Sequence, residues 1–219
     1  MKRDSTGKAQ EHRSESGFSL LEALIVVSIL MVAAGIFVPK VNSAIKDSVV
    51  ANGYDTALMT LRQAREAAVA ERRVYIVTFT APRTVSIAPK TADTKALNIT
   101  RDMPGEVQFT AITGIPNTVA SSSSGGVTVG VPDGLGTGPS TGAICFDVGV
   151  SSTGTNTVYF WPDGSARDEN DNLNMGVLYI ARPGDLMSSR AITVWGLSGR
   201  IRGWRLIKSG TGVTAWRQQ

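Results

Sequence analysis

From Phe18 to Val38 the chain runs through 21 residues with one ionisable side chain, Glu22. About 20 apolar residues suffice for a helix to span the hydrocarbon of a bilayer, so the run is long enough to cross. The preceding residues are polar, with Lys2, Arg3, Lys8 and Arg13 set against Asp4, Glu11 and Glu15. Basic residues on that flank predict an N-terminus that stays in the cytoplasm. An ordinary secretory signal has a shorter apolar core followed by a small-residue cleavage site. No such site follows here; the chain passes Pro39 into further helical pattern. A plain single-pass anchor explains the length but not the carboxylate, since a charge at the centre of a spanning helix costs roughly 2.5–3.5 kcal/mol on insertion scales.

Beyond Pro39, Val41, Ala44, Ile45, Val49, Leu58, Leu61, Ala64 and Ala68 recur at three- and four-residue steps. Lys46, Asp47, Asp55, Arg62 and Glu66 fall on the other face. This is an amphipathic helix, predicted to continue from the apolar run as far as Arg72, with Gly53 a weak point. Pro39 inside it removes a backbone hydrogen bond and predicts a kink.

After Arg73 the period changes to alternation. Strands are predicted at 73–80, 84–88, 106–112, 143–149, 157–164, 176–181, 191–196 and 200–207. Ala81-Pro82, Pro104-Gly105, Pro162-Asp163-Gly164 and Ser198-Gly199 supply the turns between them. Residues 121–142 are rich in Ser, Gly, Thr and Pro and read as a surface loop, with a short strand at Val127–Val129 as an option. The expected organisation is a leader (1–17), a membrane helix (18–38), an amphipathic helix (39–72) and a β-rich head (73–219). One helix packed on antiparallel sheet gives an α+β fold class.

The composition excludes several chemistries. His12, ahead of the apolar run, is the only histidine, and Cys145 is the only cysteine. No His-based metal site, Ser-His-Asp triad, Cys-His pair or intrachain disulfide can form in the head. Cys145 reads as a small buried hydrophobe, and Trp161 and Trp195 as core or sheet-face residues. The acidic stretch 163–174 has oxygen ligands in number but not the order of a calcium loop, and reads as a solvated hairpin. No enzyme activity, cofactor or metal is expected.

The stretch "SGFSLLEALIVVSILMVAAGIFVP" resembles the N-terminal signal of type IV prepilins and type II secretion pseudopilins. That resemblance implies cleavage by a prepilin peptidase between Gly17 and Phe18, N-methylation of Phe18, and an assembly role for Glu22. Pro39 stands where such proteins often carry a kinking proline. "YFWPDGSAR" and "RAITVWGLSGRIRGWRL" are further similar to the end of the GspH/FimT family of type II secretion pseudopilins and type IV minor pilins. Membership implies a single-pass inner-membrane protein with a periplasmic head. Its partners would be other pilins or pseudopilins and an inner-membrane assembly platform, and its product a pseudopilus or pilus.

From Arg182 to the end there are seven basic residues against one acidic, a net of +6 over 38 residues. In some minor pilins of that family a C-terminal Gly-Arg-x-Arg helps capture DNA. Gly199-Arg200-Ile201-Arg202 matches it, and Arg200 and Arg202 would share a strand face. Arg205, Lys208 and Arg217 add charge, while Trp204 and Trp216 could stack on bases of double-stranded DNA as partner. The other reading gives Gly199 a turn role and leaves the arginines to solvate an edge strand.

Overall fold

The computed structural model describes residues 19–116, 132–135, 142–146, 155–208, 210, 212 and 214–219, and of 38–41 and 43 the backbone alone. A single long helix, α1 (Leu20–Glu71), opens the described chain, within one residue of the predicted end at Arg72. The chain divides inside this helix into one unit that ends at Ala44 and another from Ile45 to Gln219.

In the first unit, Leu20–Phe37 has a mean hydropathy of 2.6 and none of its residues is buried. By length and composition this stretch can cross a membrane. A soluble monomer does not expose an apolar surface so continuous. The kink expected at Pro39 falls beside the boundary of the two units, on a residue whose side chain lies outside those described.

The second unit is α+β. Strands β1 (Tyr75–Thr80), β2 (Thr84–Pro89), β3 (Ile99–Asp102), β4 (Gln108–Phe109), β5 (Ile144–Cys145) and β6 (Thr157–Phe160) come first. Then follow β7 (Ala166–Arg167), β8 (Gly176–Ala181), β9 (Arg190–Val194), β10 (Ile201–Lys208) and β11 (Thr214–Gln218). They form two antiparallel sheets, ordered β3-β2-β1-β6-β7 and β11-β10-β9-β8-β4, with β5 also on β8. The antiparallel β structure expected from sequence is present, as two sheets.

The part of α1 in this unit buries Val50, Tyr54, Ala57, Leu58, Leu61, Ala64 and Ala68 against both sheets. The first sheet offers Tyr75, Val77, Phe79, Val85 and Ile87, the alternate residues of β1 and β2; the second offers Leu178, Ile180, Ile192 and Val194. The buried stripe starts later than the periodicity suggested, since Ala44 and Ile45 are exposed. Gly53 does not interrupt the helix. It is where Val107 packs on the helix backbone, and a Cβ there would come within 2.8 Å of Val107 Cγ1.

All six residues of β8 are buried. One face lies under α1, and the other packs in a second cluster with Ile115, Ala191, Leu206 and Trp216. That second cluster explains why the seven-residue strand predicted at 106–112 shrinks to Gln108–Phe109. After Thr110, Ala111 and Ile115 leave the ladder to cover the outer face of β8 and β9. Trp216 Nε1 holds this cover by donating to Pro116 O at 2.7 Å. Strand 143–149 is seen as Ile144–Cys145; residues 147–149, like Val127–Val129 and most of 121–142, lie outside the described residues. Strands β3, β7 and β11 were not predicted.

Candidate functional site

Two regions hold the residues singled out above. In the first, Gly17 and Phe18 lie outside the described residues. Glu22 stands in the first turn of α1 and is exposed. The helix begins immediately after Ser19, whose carbonyl accepts from Ala23 N at 3.1 Å. A carboxylate in a first turn is favoured by the unpaired N–H groups and dipole of the helix. The only other polar side chain between Glu22 and Gly35, Ser28, turns its hydroxyl inward onto Leu24 O at 2.8 Å. Among the described residues Glu22 is thus the one acid at the head of this apolar surface.

The second region is the hairpin of β9 and β10, whose turn is anchored from α1. Arg65 donates to Gly164 O at 3.2 Å and to Ser198 O at 3.1 Å, tying the Pro162-Asp163-Gly164 turn to the Ser198-Gly199 turn. Arg200, just beyond, is exposed, with its guanidinium carbon 5.3 Å from the Trp195 ring centre. With Arg62 and Arg65 it lines an open cavity of about 570 Å³.

Arg202 lies opposite Thr193 on β9, is half-buried and is held in an ion pair. Its Nη1 is 2.7 Å from Asp133 Oδ1, and the Asp133 side chain is only 5% exposed. Thr193 Oγ1 donates to the other Asp133 oxygen at 2.6 Å and accepts from Trp204 Nε1 at 3.0 Å. Arg202, Asp133, Thr193 and Trp204 form one connected network. Trp204 is half-buried and packs on the second cluster, so its ring is not an open stacking platform. Arg205 and Lys208 are exposed. Strand alternation puts Lys208 on the face of Arg202, and Arg205 on the α1 side with Tyr54 and Arg190.

The acidic loop satisfies itself. Asp163 accepts from the Ser165 hydroxyl at 2.6 Å and from its backbone N–H at 2.9 Å, which holds its carboxyl below the usual range. Arg167 bridges Asp163 at 3.0 Å and Asp171 at 2.8 Å. Among the described residues no three His, Cys, Asp or Glu side chains are placed to hold a metal. Cys145 is buried.

Sequence reasoning missed Arg65, Asp133 and Arg190. Asp133 had one signal, a second Pro-Asp-Gly at 132–134, but its partners are 60 and 69 residues away.

Residues 12–38 match the family model described as the prokaryotic N-terminal methylation motif. The match contains Gly17, Phe18 and Glu22 and supports a type IV pilin-like protein anchored by its apolar helix. No curated protein and no solved structure matches the chain.

Proposed function

We propose that this chain is a structural pseudopilin or minor pilin of the GspH/FimT type, made as a single-pass inner-membrane precursor. A prepilin peptidase cuts it on the cytoplasmic side between Gly17 and Phe18, and Phe18 is N-methylated. An assembly platform then moves it into a type II secretion pseudopilus or a type IV pilus beside other pilins, with its head on the periplasmic side. The observation that carries this reading is the methylation motif over 12–38 running into an apolar helix with Glu22 in its first turn.

Intact-mass measurement on the protein from cells that contain prepilin peptidase tests the processing step. The expected N-terminus is N-methyl-Phe18. A Gly17→Leu chain is expected to keep its leader and stay in the membrane fraction. A wild-type protein that retains residues 1–17 in such cells would count against the proposal.

Arg200 favours a second reading, a subunit that binds double-stranded DNA through the β9–β10 hairpin. It is exposed, has no ion pair among the described residues, and borders a cavity shared with Arg62 and Arg65. On this reading Arg200 carries most of the contact, while Arg202 must first leave Asp133, and Arg205, Lys208 and Trp204 are secondary. In low-salt gel shifts, Arg200→Ala is expected to weaken binding about tenfold and to flatten the salt dependence by about one phosphate contact. Equal binding by the Arg200→Ala/Arg202→Ala chain would remove the hairpin from the account.

A further inference from the structure

Three arginines stand in one row across the end of the second sheet. Arg205 on β10 is directly opposite Arg190 on β9 and directly opposite Arg217 on β11. The row continues inward through Ile180 and Phe109, both in the core under α1, so all its members share the α1 side. Residues so paired have Cβ atoms about 4.5–5.5 Å apart, and like charges there oppose each other. No carboxylate lies within ion-pair distance of any of the three among the described residues.

Arg190 bears the greatest cost. It is 4% exposed, and among the described residues its guanidinium donates to the carbonyls of Ser188 and Ser189, each at 3.3 Å. Burial first, and then Arg205, press it towards losing its proton. A buried charge is ordinarily paired. Asp47 and Asp185 attract Arg190 only from beyond ion-pair distance, and Arg190 and Arg205 face a cavity of about 380 Å³ whose other wall is Asp47 to Asp55 of α1. A second cavity of about 460 Å³ shares Asp47, Arg205 and Gln219 with the first and extends along the sheet to Arg217.

We infer that this groove receives an extended acidic segment of a protein partner, whose carboxylates seat on Arg190, Arg205 and Arg217. The elongated, two-part shape suits a chain with spaced side chains better than a single small ion. Asp47, Asp55 and Asp185 stand on the same walls, so the carboxylates that bind are those that reach the arginines past them. The groove is distinct from the cavity that Arg200 lines with Arg62 and Arg65, and it assigns Arg205 to the partner segment rather than to DNA.

The test uses the full chain in a zwitterionic detergent, with fluorescein-labelled decaglutamate as the probe. Because Arg205 lies between two like charges, Arg205→Gln is expected to raise the unliganded melting temperature. Decaglutamate is expected to stabilise the wild-type chain, and to bind Arg205→Gln and Arg217→Gln at least tenfold more weakly, with Arg200→Ala unaffected. The inference is overturned if Arg205→Gln lowers the unliganded melting temperature, or if the peptide fails to bind or binds all variants equally. It is equally overturned if inorganic phosphate protects as well as the peptide, or if a DNA duplex competes through Arg205 and Arg217 as effectively.

Discussion

Glu22→Ala is expected to leave cleavage after Gly17 intact and to remove the protein from filaments. The substitution deletes a carboxylate from an otherwise apolar surface, so membrane residence of the variant is as easy as before or easier. What it takes away is the partner for a free amine. On the proposed processing, a helix continued back to Phe18 would set its ammonium about 6 Å along the axis from Glu22. In the apolar core of a filament the carboxylate can meet that amine or the one on an incoming neighbour. Two opposite charges at 4 Å are worth about 4 kcal/mol at an effective dielectric constant of about 20. At about 1.4 kcal/mol per factor of ten, that is roughly a thousandfold in the docking equilibrium. Immunoblots of sheared filaments and membranes would read the outcome: processed Glu22→Ala protein in the membrane, none in the filament fraction. Normal incorporation would mean that Glu22 does not guide docking.

A side chain at position 203 is expected to separate α1 from the second sheet. Gly203 lies in mid-strand on β10 under Tyr54 of α1; a Cβ there would overlap the Tyr54 hydroxyl outright and reach Cζ at 2.8 Å. Tyr54 is 5% exposed and has no easy alternative position, since Val50, Ala57 and Leu58 around it belong to the same core. Gly203→Val therefore forces either the ring or the helix away. Loss of the buried ring costs about 1.5–3 kcal/mol, and the strain of an overfilled contact adds about 1–3. Against a typical total of about 5–15 kcal/mol, this removes a large share of the unit's stability. Urea unfolding followed by tryptophan fluorescence checks the loss. Tyr54→Phe removes the overlapping oxygen, so adding it to Gly203→Ala should recover about 1 kcal/mol. A fully additive pair would show that the two residues do not meet as described.

Much of the fold was legible because local pattern suffices for it. The apolar run, the three- and four-residue steps as far as Ala68, and the alternation of β1, β2 and β6 each express which side of one element is buried. The predictions failed where burial is decided by a distant segment. The stretch 106–112 alternates like a strand, yet only Gln108–Phe109 pair with β8, because the residues after Thr110 serve better as a cover over Tyr179 and Trp216. Strands β3 and β7 are short, with charged or polar residues, and β11 lies at a sheet edge; little in their own composition marks them.

By itself the sequence determined the N-terminal part: a Gly17-Phe18 junction, a carboxylate four residues on, and an apolar helix of spanning length. Those features need no long-range contact, since each depends on neighbours within a few helical turns. The tertiary structure alone decided which basic residues near the C-terminus are available. It paired Arg202 with Asp133 from 69 residues away, tied Arg65 across two turns, and aligned Arg190, Arg205 and Arg217 in a row. Strand register sets such partnerships, and register follows from how the core faces fit together. Two arginines of equal charge in the sequence can thus end as one half of a satisfied ion pair and one member of a ladder of like charges.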